Sequence, residues 1–286
     1  MGFLDQIEAA ARRADEEGGI DPVRLPAGLD HLSASSINQF LRCPRQWAYV
    51  RVLGIKAPPD GGLVAGKAFH AAAEQTMLRK METGEDPTSD EAASLAADAA
   101  QAEIDAGEVV YDEDNYTSSG AIVDKASRFA EAWAQDVAPN VSPAAVESEF
   151  DVEMAGVKVV GRIDLEDREM VTRDWKTSGK TPATRTGTQS WEQAFTPQTM
   201  IYAHVKQQAV IYHYVIDQKR GTKTLPVAIV GSDLARAKKL AIPLVRDTAA
   251  LIAAGRFPRN TNGWHCSKRW CAFYERCMSG KDEGAF

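Results

Sequence analysis

The sequence predicts an α/β protein, a small sheet flanked by helices, because the hydrophobic period shifts from helical to strand spacing near residue 146. Before residue 146 apolar side chains recur at helical spacing, as at Ile37, Phe40 and Leu41, at Trp47, Ala48 and Val50, and at Phe129, Trp133 and Val137. From Val146 to Met154 the residues alternate, as in a half-buried strand. Gly156 then permits a tight reversal into a second such run, Val157 to Asp164, and Met170 to Lys176 is a third.

Taken in order, residues 1–30 form a flexible lead-in with Gly18-Gly19, Pro22 and Pro26. Ser33, Ser35 and Ser36 offer N-caps for a helix over 33–50 that continues despite Pro44. Ala57 to Gly62 is a loop, and a helix from Gly66 carries His70 and Glu74 on one face. Residues 90–108 are Ala-rich and acidic, a surface helix, and another helix covers 122–137. A polar turn at 166–169 separates the second and third strands. A helix over about 197–216, a fourth strand from Thr224 to Val230 and an amphipathic helix over 233–254 follow. The tail from Phe257 is irregular. One domain over 31–286 accounts for the pattern, with a helical insertion at about 80–140 and a cysteine-bearing segment at 257–280.

The chain has 286 residues and a formal net charge of −7. That total hides an asymmetry: residues 1–155 carry a net of −16, and residues 156–286 a net of +9. Residues 84–115 contain eleven Asp/Glu and no Lys or Arg. A phosphate backbone responds to the local field, so the basic half remains able to bind nucleic acid. No apolar run reaches the roughly 18 residues of a membrane span, and the acidic start lacks a signal peptide's apolar core. A cytoplasmic protein without membrane contact is expected.

Asp164 closes one predicted strand, and Asp174 and Lys176 lie on the next. Alternation puts Asp174 and Lys176 on one face and Trp175 on the other. If the strands pair as a hairpin, Asp164 approaches Asp174, and two carboxylates that close call for a cation. Hard oxygen donors favour Mg²⁺ or Mn²⁺. Lys176 beside that cation can hold a water or neutralise charge on phosphate. A bare Asp-x-Lys is common and by itself reads as a surface ion pair. Glu149, on the preceding strand, is a further acidic contributor ranked below Asp164, since Glu147 and Glu153 share its face.

Gly161-Arg-Ile-Asp164 followed by Asp174-Trp-Lys176 resembles the core motif of the PD-(D/E)XK nuclease superfamily. More narrowly it resembles the RecB-like branch, with its CRISPR-associated and AddB-type iron–sulfur nucleases. Gly66-x-x-x-His70 and Gln198-x-x-x-Tyr202 match that branch's flanking motifs, and the likeness covers roughly residues 31–280. It implies His70 and the main-chain carbonyl of Trp175 as metal ligands with Asp164 and Asp174. It further implies that Gln198 and Tyr202 orient substrate or Lys176, and that DNA ends or single strands are the substrate of an exonuclease.

Cys266-x4-Cys271-x5-Cys277 gathers three thiols within twelve residues, and Cys43 lies far upstream. Four thiolates satisfy a tetrahedral Zn²⁺ or an iron–sulfur cluster, and spacing alone does not separate them. The resemblance implies a structural 4Fe-4S cluster clasping the two ends, although the branch's usual trio has two residues between its first pair and this chain has four.

Arg42, Arg45, Lys268 and Arg269 flank the cysteines and are the expected DNA contacts. Trp264, Trp270, Phe273 and Tyr274 lie among them, to stack bases or to pack around the cluster. The expected whole is a small mixed sheet flanked by helices, a helical insertion and a cysteine-ligated cap, acting as a metal-dependent DNA nuclease in recombination and repair. Two rivals stand beside it: a non-catalytic DNA-binding or recombination-partner module, and a zinc hydrolase using His70 and Glu74. No Walker A string is present, so a helicase or recombination protein would have to supply any unwinding.

Overall fold

The computed structural model describes residues 25–26 and 28–282. Most of the expected lead-in at 1–30 therefore lies outside the described residues. Two short helices, α1 (Ala34–Arg42) and α2 (Pro44–Arg51), precede a long α3 (Gly61–Thr83). α4 (Ser89–Asp105) and α5 (Ser119–Asp136) follow. The strands are β1 (Pro143–Met154), β2 (Val157–Asp167) and β3 (Val171–Ser178). After α6 (Pro197–Lys206) come β4 (Ala209–Gln218), β5 (Gly221–Ile229), α7 (Gly231–Ala253) and the short α8 (Tyr274–Met278). The five strands form one sheet in the order β1-β2-β3-β4-β5. Only β3 and β4 run parallel, because α6 crosses over between them; the other pairs are antiparallel.

Three local expectations are corrected. The helix over 33–50 is two helices, with Cys43 extended at φ −160° between them. Pro44 is the cause, since its ring disfavours the α region for the residue before it. The helix expected over 197–216 ends at Lys206, where Gln207 adopts a left-handed φ of 57°. Val210 to Ile216 instead forms β4, a run of β-branched and aromatic residues suited to a central strand. The helix expected from Gly66 starts at Gly61, where the Asp60 carboxylate caps the Leu63 N–H at 2.8 Å.

Helices cover both faces of the sheet. One apolar cluster holds α1, α2, α6 and α7 with Val210 and Tyr212 of β4. The other holds α3, α4 and α5 with Trp175 of β3 and Val215 of β4. Ala92, Ala96 and Ala100 are fully buried, so the acidic α4 presents a small-residue face that packs closely on its neighbours. Along β2, Val159 and Ile163 join the first cluster and Leu165 the second, so the strand changes allegiance at Asp164. Among the described residues no helix is long and apolar enough to cross a membrane.

Ala155 and Gly156, both at positive φ, make the two-residue turn between β1 and β2. Gly161 pairs with Phe150 across that hairpin, and a Cβ there would lie 2.3 Å from the phenyl ring. The glycine ahead of Arg162 and Asp164 is thus required by a close approach.

Candidate active site

The antiparallel pairing of β2 and β3 runs from Asp167 opposite Val171 to Leu165 opposite Arg173, and stops. One step further the register would set Asp164 opposite Asp174. The strands part there, and the Trp175 N–H donates to Asp164 Oδ2 at 2.7 Å. In an extended strand the N–H and C=O of one residue point to the same edge, so the Trp175 carbonyl faces the same gap. The Trp175 ring turns to the other face and packs edge-on against Trp133 at 5.4 Å. This divides Asp174 and Lys176 from Trp175 as the alternation predicts.

Asp174 is almost wholly buried. Its Oδ1 accepts from Gln198 Nε2 at 2.7 Å. Its Oδ2 is sealed from solvent without a hydrogen bond, and the Lys176 ammonium lies against it. Gln198 Nε2 also donates to the Tyr202 hydroxyl at 3.0 Å, and that hydroxyl donates to the Arg162 carbonyl at 2.8 Å. One face of α6 is thereby fixed to both β2 and β3. Lys176 Nζ sits 5.5 Å from the centre of the Tyr212 ring, whose hydroxyl is bonded to Thr199.

From the bundle side, α3 brings His70 Nδ1 to 3.4 Å from Asp164 Oδ2. Gly66 lies one turn earlier, and a Cβ there would touch the Thr177 hydroxyl at 3.4 Å, so the helix runs close over β3. Glu74 lines the same open cleft as His70 and Asp164.

The two central carboxylates divide the charge unequally. Burial, and then the charge of Asp164, push Asp174 up to about 6. Burial also opposes ionisation of Asp164, yet the His70 charge and hydrogen bond, with Lys176 and the Trp175 N–H, hold it below the usual carboxylate range. His70 is raised: burial opposes its charge, and Asp164 outweighs burial.

Sequence alternation misplaced one residue here. Glu149 is exposed and borders a different cavity, with Phe150 and Arg162. Glu147 comes to the cleft instead. Its φ of 51° breaks the strand's alternation, and His70, Glu147 and Asp164 each offer a ligand atom within 4.8 Å of the others. Burial, followed by the charge of Asp164, lifts Glu147 to about 7. A non-glycine residue at positive φ in a strand is the one local signal, and a sequence does not display it.

At the far end, Cys43, Cys266, Cys271 and Cys277 line one pocket with Tyr49, His265 and Phe273. Direct bonds join the two ends of the chain: Asn260 Nδ2 donates to the Arg42 carbonyl at 2.8 Å, and the Arg45 N–H to the Pro258 carbonyl at 3.3 Å. The Cys266 and Cys271 thiols are raised by burial and then by the neighbouring thiols, Cys43 and Cys277 among them. Arg42 bonds Gln46, Lys268 pairs with Glu275, and Arg269 with Asp114 of the acidic stretch. Trp264 and Trp270 are exposed and meet edge to face at 5.5 Å, while Phe273 is buried against Tyr49.

A search of curated proteins finds no match. Among solved structures, a candidate exonuclease from Eubacterium rectale is similar in fold, with a TM-score of 0.53 and 11% identity over 84% of this chain and 88% of that one. The solved structure of SSO0001 covers 96% of each chain at 13% identity, with a TM-score of 0.38. The model of the PD-(D/E)XK nuclease superfamily matches residues 31–278, nearly the whole described chain. With that match over the parted strands and their carboxylate–lysine core, the chain belongs to the PD-(D/E)XK nuclease superfamily.

Proposed function

We propose that this nuclease is a divalent-metal-dependent deoxyribonuclease of the RecB-like branch, acting as an exonuclease on DNA ends or single strands. The observation that carries it is the junction at which β2 and β3 part, with Asp164 on the Trp175 N–H and Asp174 beside Lys176. Asp174 Oδ2 is buried without a hydrogen bond next to a second carboxylate, a donor set that suits a hard cation. Asp164, Asp174, the Trp175 carbonyl and His70 would hold Mg²⁺ or Mn²⁺, which supplies Lewis acidity toward the phosphodiester and lowers the pKa of water. Lys176 orients the attacking water and meets charge developing on the phosphate. Gln198 fixes the Asp174 carboxylate, and Tyr202 fixes Gln198 in turn. Arg42, Arg45, Lys268 and Arg269 are the proposed DNA contacts. The last two are paired with carboxylates that a phosphate would have to displace. A helicase or recombination protein is the proposed partner, and the cytoplasm the proposed location.

The four cysteines line one pocket, which suits the structural 4Fe-4S cluster that the resemblance implies, with zinc as the alternative. The cluster's role is to clasp α2 to the tail, closing a loop of more than two hundred residues within one domain over 31–286.

The test is incubation of 5′- and 3′-labelled single- and double-stranded DNA with Mn²⁺, alongside RNA. Wild type should shorten DNA from an end, and Asp174→Ala and Lys176→Ala should abolish the activity. No degradation by pure wild type under any divalent metal would overturn the enzyme reading.

A further inference from the structure

The cysteine pocket contains a polar group that its four thiols do not account for. His265 lines the pocket next to Cys266, and its Nε2 is sealed from solvent without a hydrogen-bond partner. Ser267 Oγ, on the other side of Cys266 in the chain, is sealed in the same way. A polar atom buried like this is costly unless an acceptor stands beside it. The sulfides and thiolates of an iron–sulfur group are such acceptors. We propose that His265 donates a hydrogen bond from Nε2 to a sulfur of the cysteine-held iron–sulfur group and thereby raises its reduction potential. This rests on the iron–sulfur reading of the pocket and gives that group a redox poise beyond its role as a clasp.

The chain builds a seat for this imidazole. Residues 263–266 form a turn in which the Cys266 N–H donates to the Gly263 carbonyl at 2.9 Å. The ring folds back over Gly263 so closely that a Cβ there would lie 2.1 Å from its Cε1 and 2.9 Å from its Nε2. Only glycine leaves that space open. The Trp264 ring meets the imidazole edge to face at 5.9 Å, and Trp270 meets Trp264 in turn at 5.5 Å. Arg259 lines the same pocket, its guanidinium donating to the Cys277 carbonyl at 3.3 Å. Taking up one electron makes the sulfurs more negative, so an N–H donor and a cation beside them both favour the reduced state.

The test is the reduction potential of the purified holoprotein, titrated anaerobically with dithionite at fixed pH and followed by visible absorbance and electron paramagnetic resonance. His265→Leu should make reduction at least tenfold less favourable, a fall of about 59 mV for one electron, with iron content unchanged. His265→Gln keeps an N–H and should recover part of that shift. Gly263→Ala, which displaces the ring but retains the imidazole and every cysteine, should move the potential in the same direction as His265→Leu. Reduced wild type labelled with [15N]histidine should show weak nitrogen coupling to the cluster, carried through the hydrogen bond. An unmoved potential in both His265→Leu and Gly263→Ala overturns the hydrogen bond and leaves the cluster standing. So does a wild-type nitrogen coupling that is absent, or as large as that of a directly bound nitrogen. Colourless wild type holding zinc would overturn the iron–sulfur reading itself.

Discussion

Replacing Asp174 by asparagine should make the metal-free protein more stable while abolishing its nuclease activity. Asp174 is 1% exposed, and its carboxyl is pushed from 3.8 up to about 6, by burial first and then by Asp164. A shift of about two units corresponds to on the order of 3 kcal/mol against the ionised native state. Asparagine keeps the shape and cannot ionise. It cannot, however, keep both the Gln198 hydrogen bond and the Lys176 ion pair with its single oxygen, so about 1 kcal/mol of polar interaction is lost. The net gain is about 2 kcal/mol above pH 7, or about 4–8 °C in melting temperature for a chain of this size. The native state binds the proton more tightly than the unfolded chain between pH 3.8 and about 6. Wild type therefore loses stability as pH rises through that window, and the variant does not, so the advantage should vanish near pH 4. Saturating Mn²⁺ should reverse the order, because a ligand at a hundred times its dissociation constant adds about 2.7 kcal/mol to the wild type. The assay is thermal unfolding in chelator at pH 8 and pH 4.5, repeated with Mn²⁺ at pH 8. A variant no more stable than wild type in chelator at pH 8 would refute the electrostatic account.

Gly161→Ala should cost about 1–3 kcal/mol, since its Cβ would lie 2.3 Å from the Phe150 ring, and Phe150→Leu should recover part of the loss in a double-mutant cycle by chemical unfolding. An alanine variant as stable as wild type would show that the hairpin shifts freely. Cys43→Ser removes the one cysteine contributed by the N-terminal helices. It should bleach the visible absorbance expected of an iron–sulfur group and destabilise by about 2–5 kcal/mol, the range for a cross-link closing a long loop. Colourless wild-type protein carrying stoichiometric zinc would instead refute the cluster assignment. Tyr202→Phe leaves the Arg162 carbonyl and a Gln198 N–H without their shared partner, at a cost of about 1–3 kcal/mol, and should lower turnover more than substrate affinity. An affinity loss with unchanged turnover would place Tyr202 on the substrate instead.

How much of this was legible depends on the range of each signal. The division of Asp174 and Lys176 from Trp175 is readable because strand alternation is local, whereas the approach of Asp164 depends on how β2 pairs with β3. His70, Gln198 and Tyr202 came from helical spacings of four residues, also local, joined to a resemblance. β4 was not legible. Val210 to Ile216 is a short apolar run with nothing in its period to separate a buried strand from a continued helix, and what ends α6 is the left-handed Gln207. Lys268 and Arg269 are expected DNA contacts in the sequence, which does not display their ion pairs. Their partners include Asp114, more than 150 residues away, on the acidic stretch whose charge had seemed to stand apart from the basic half.

Glu147 and Glu149 show why the remaining part of the site stayed hidden. Two residues apart on an ideal strand, they share a face, and nothing in their chemistry tells them apart. The fold separates them by placing Glu147 at φ 51°, a conformation costing on the order of 1–3 kcal/mol that packing on either side must hold in place. The hairpin has reason to hold it there. Gly161 brings Phe150 tightly against β2, Tyr202 pins the Arg162 carbonyl, and Arg162 reaches back to the Glu147 carboxylate. The same contacts that fix Asp164 at the parting of the strands thus turn Glu147 toward it. The strain at Glu147 and the approach of its carboxylate to His70 and Asp164 are one feature seen from two sides, and a variant that relaxes the first should loosen the second.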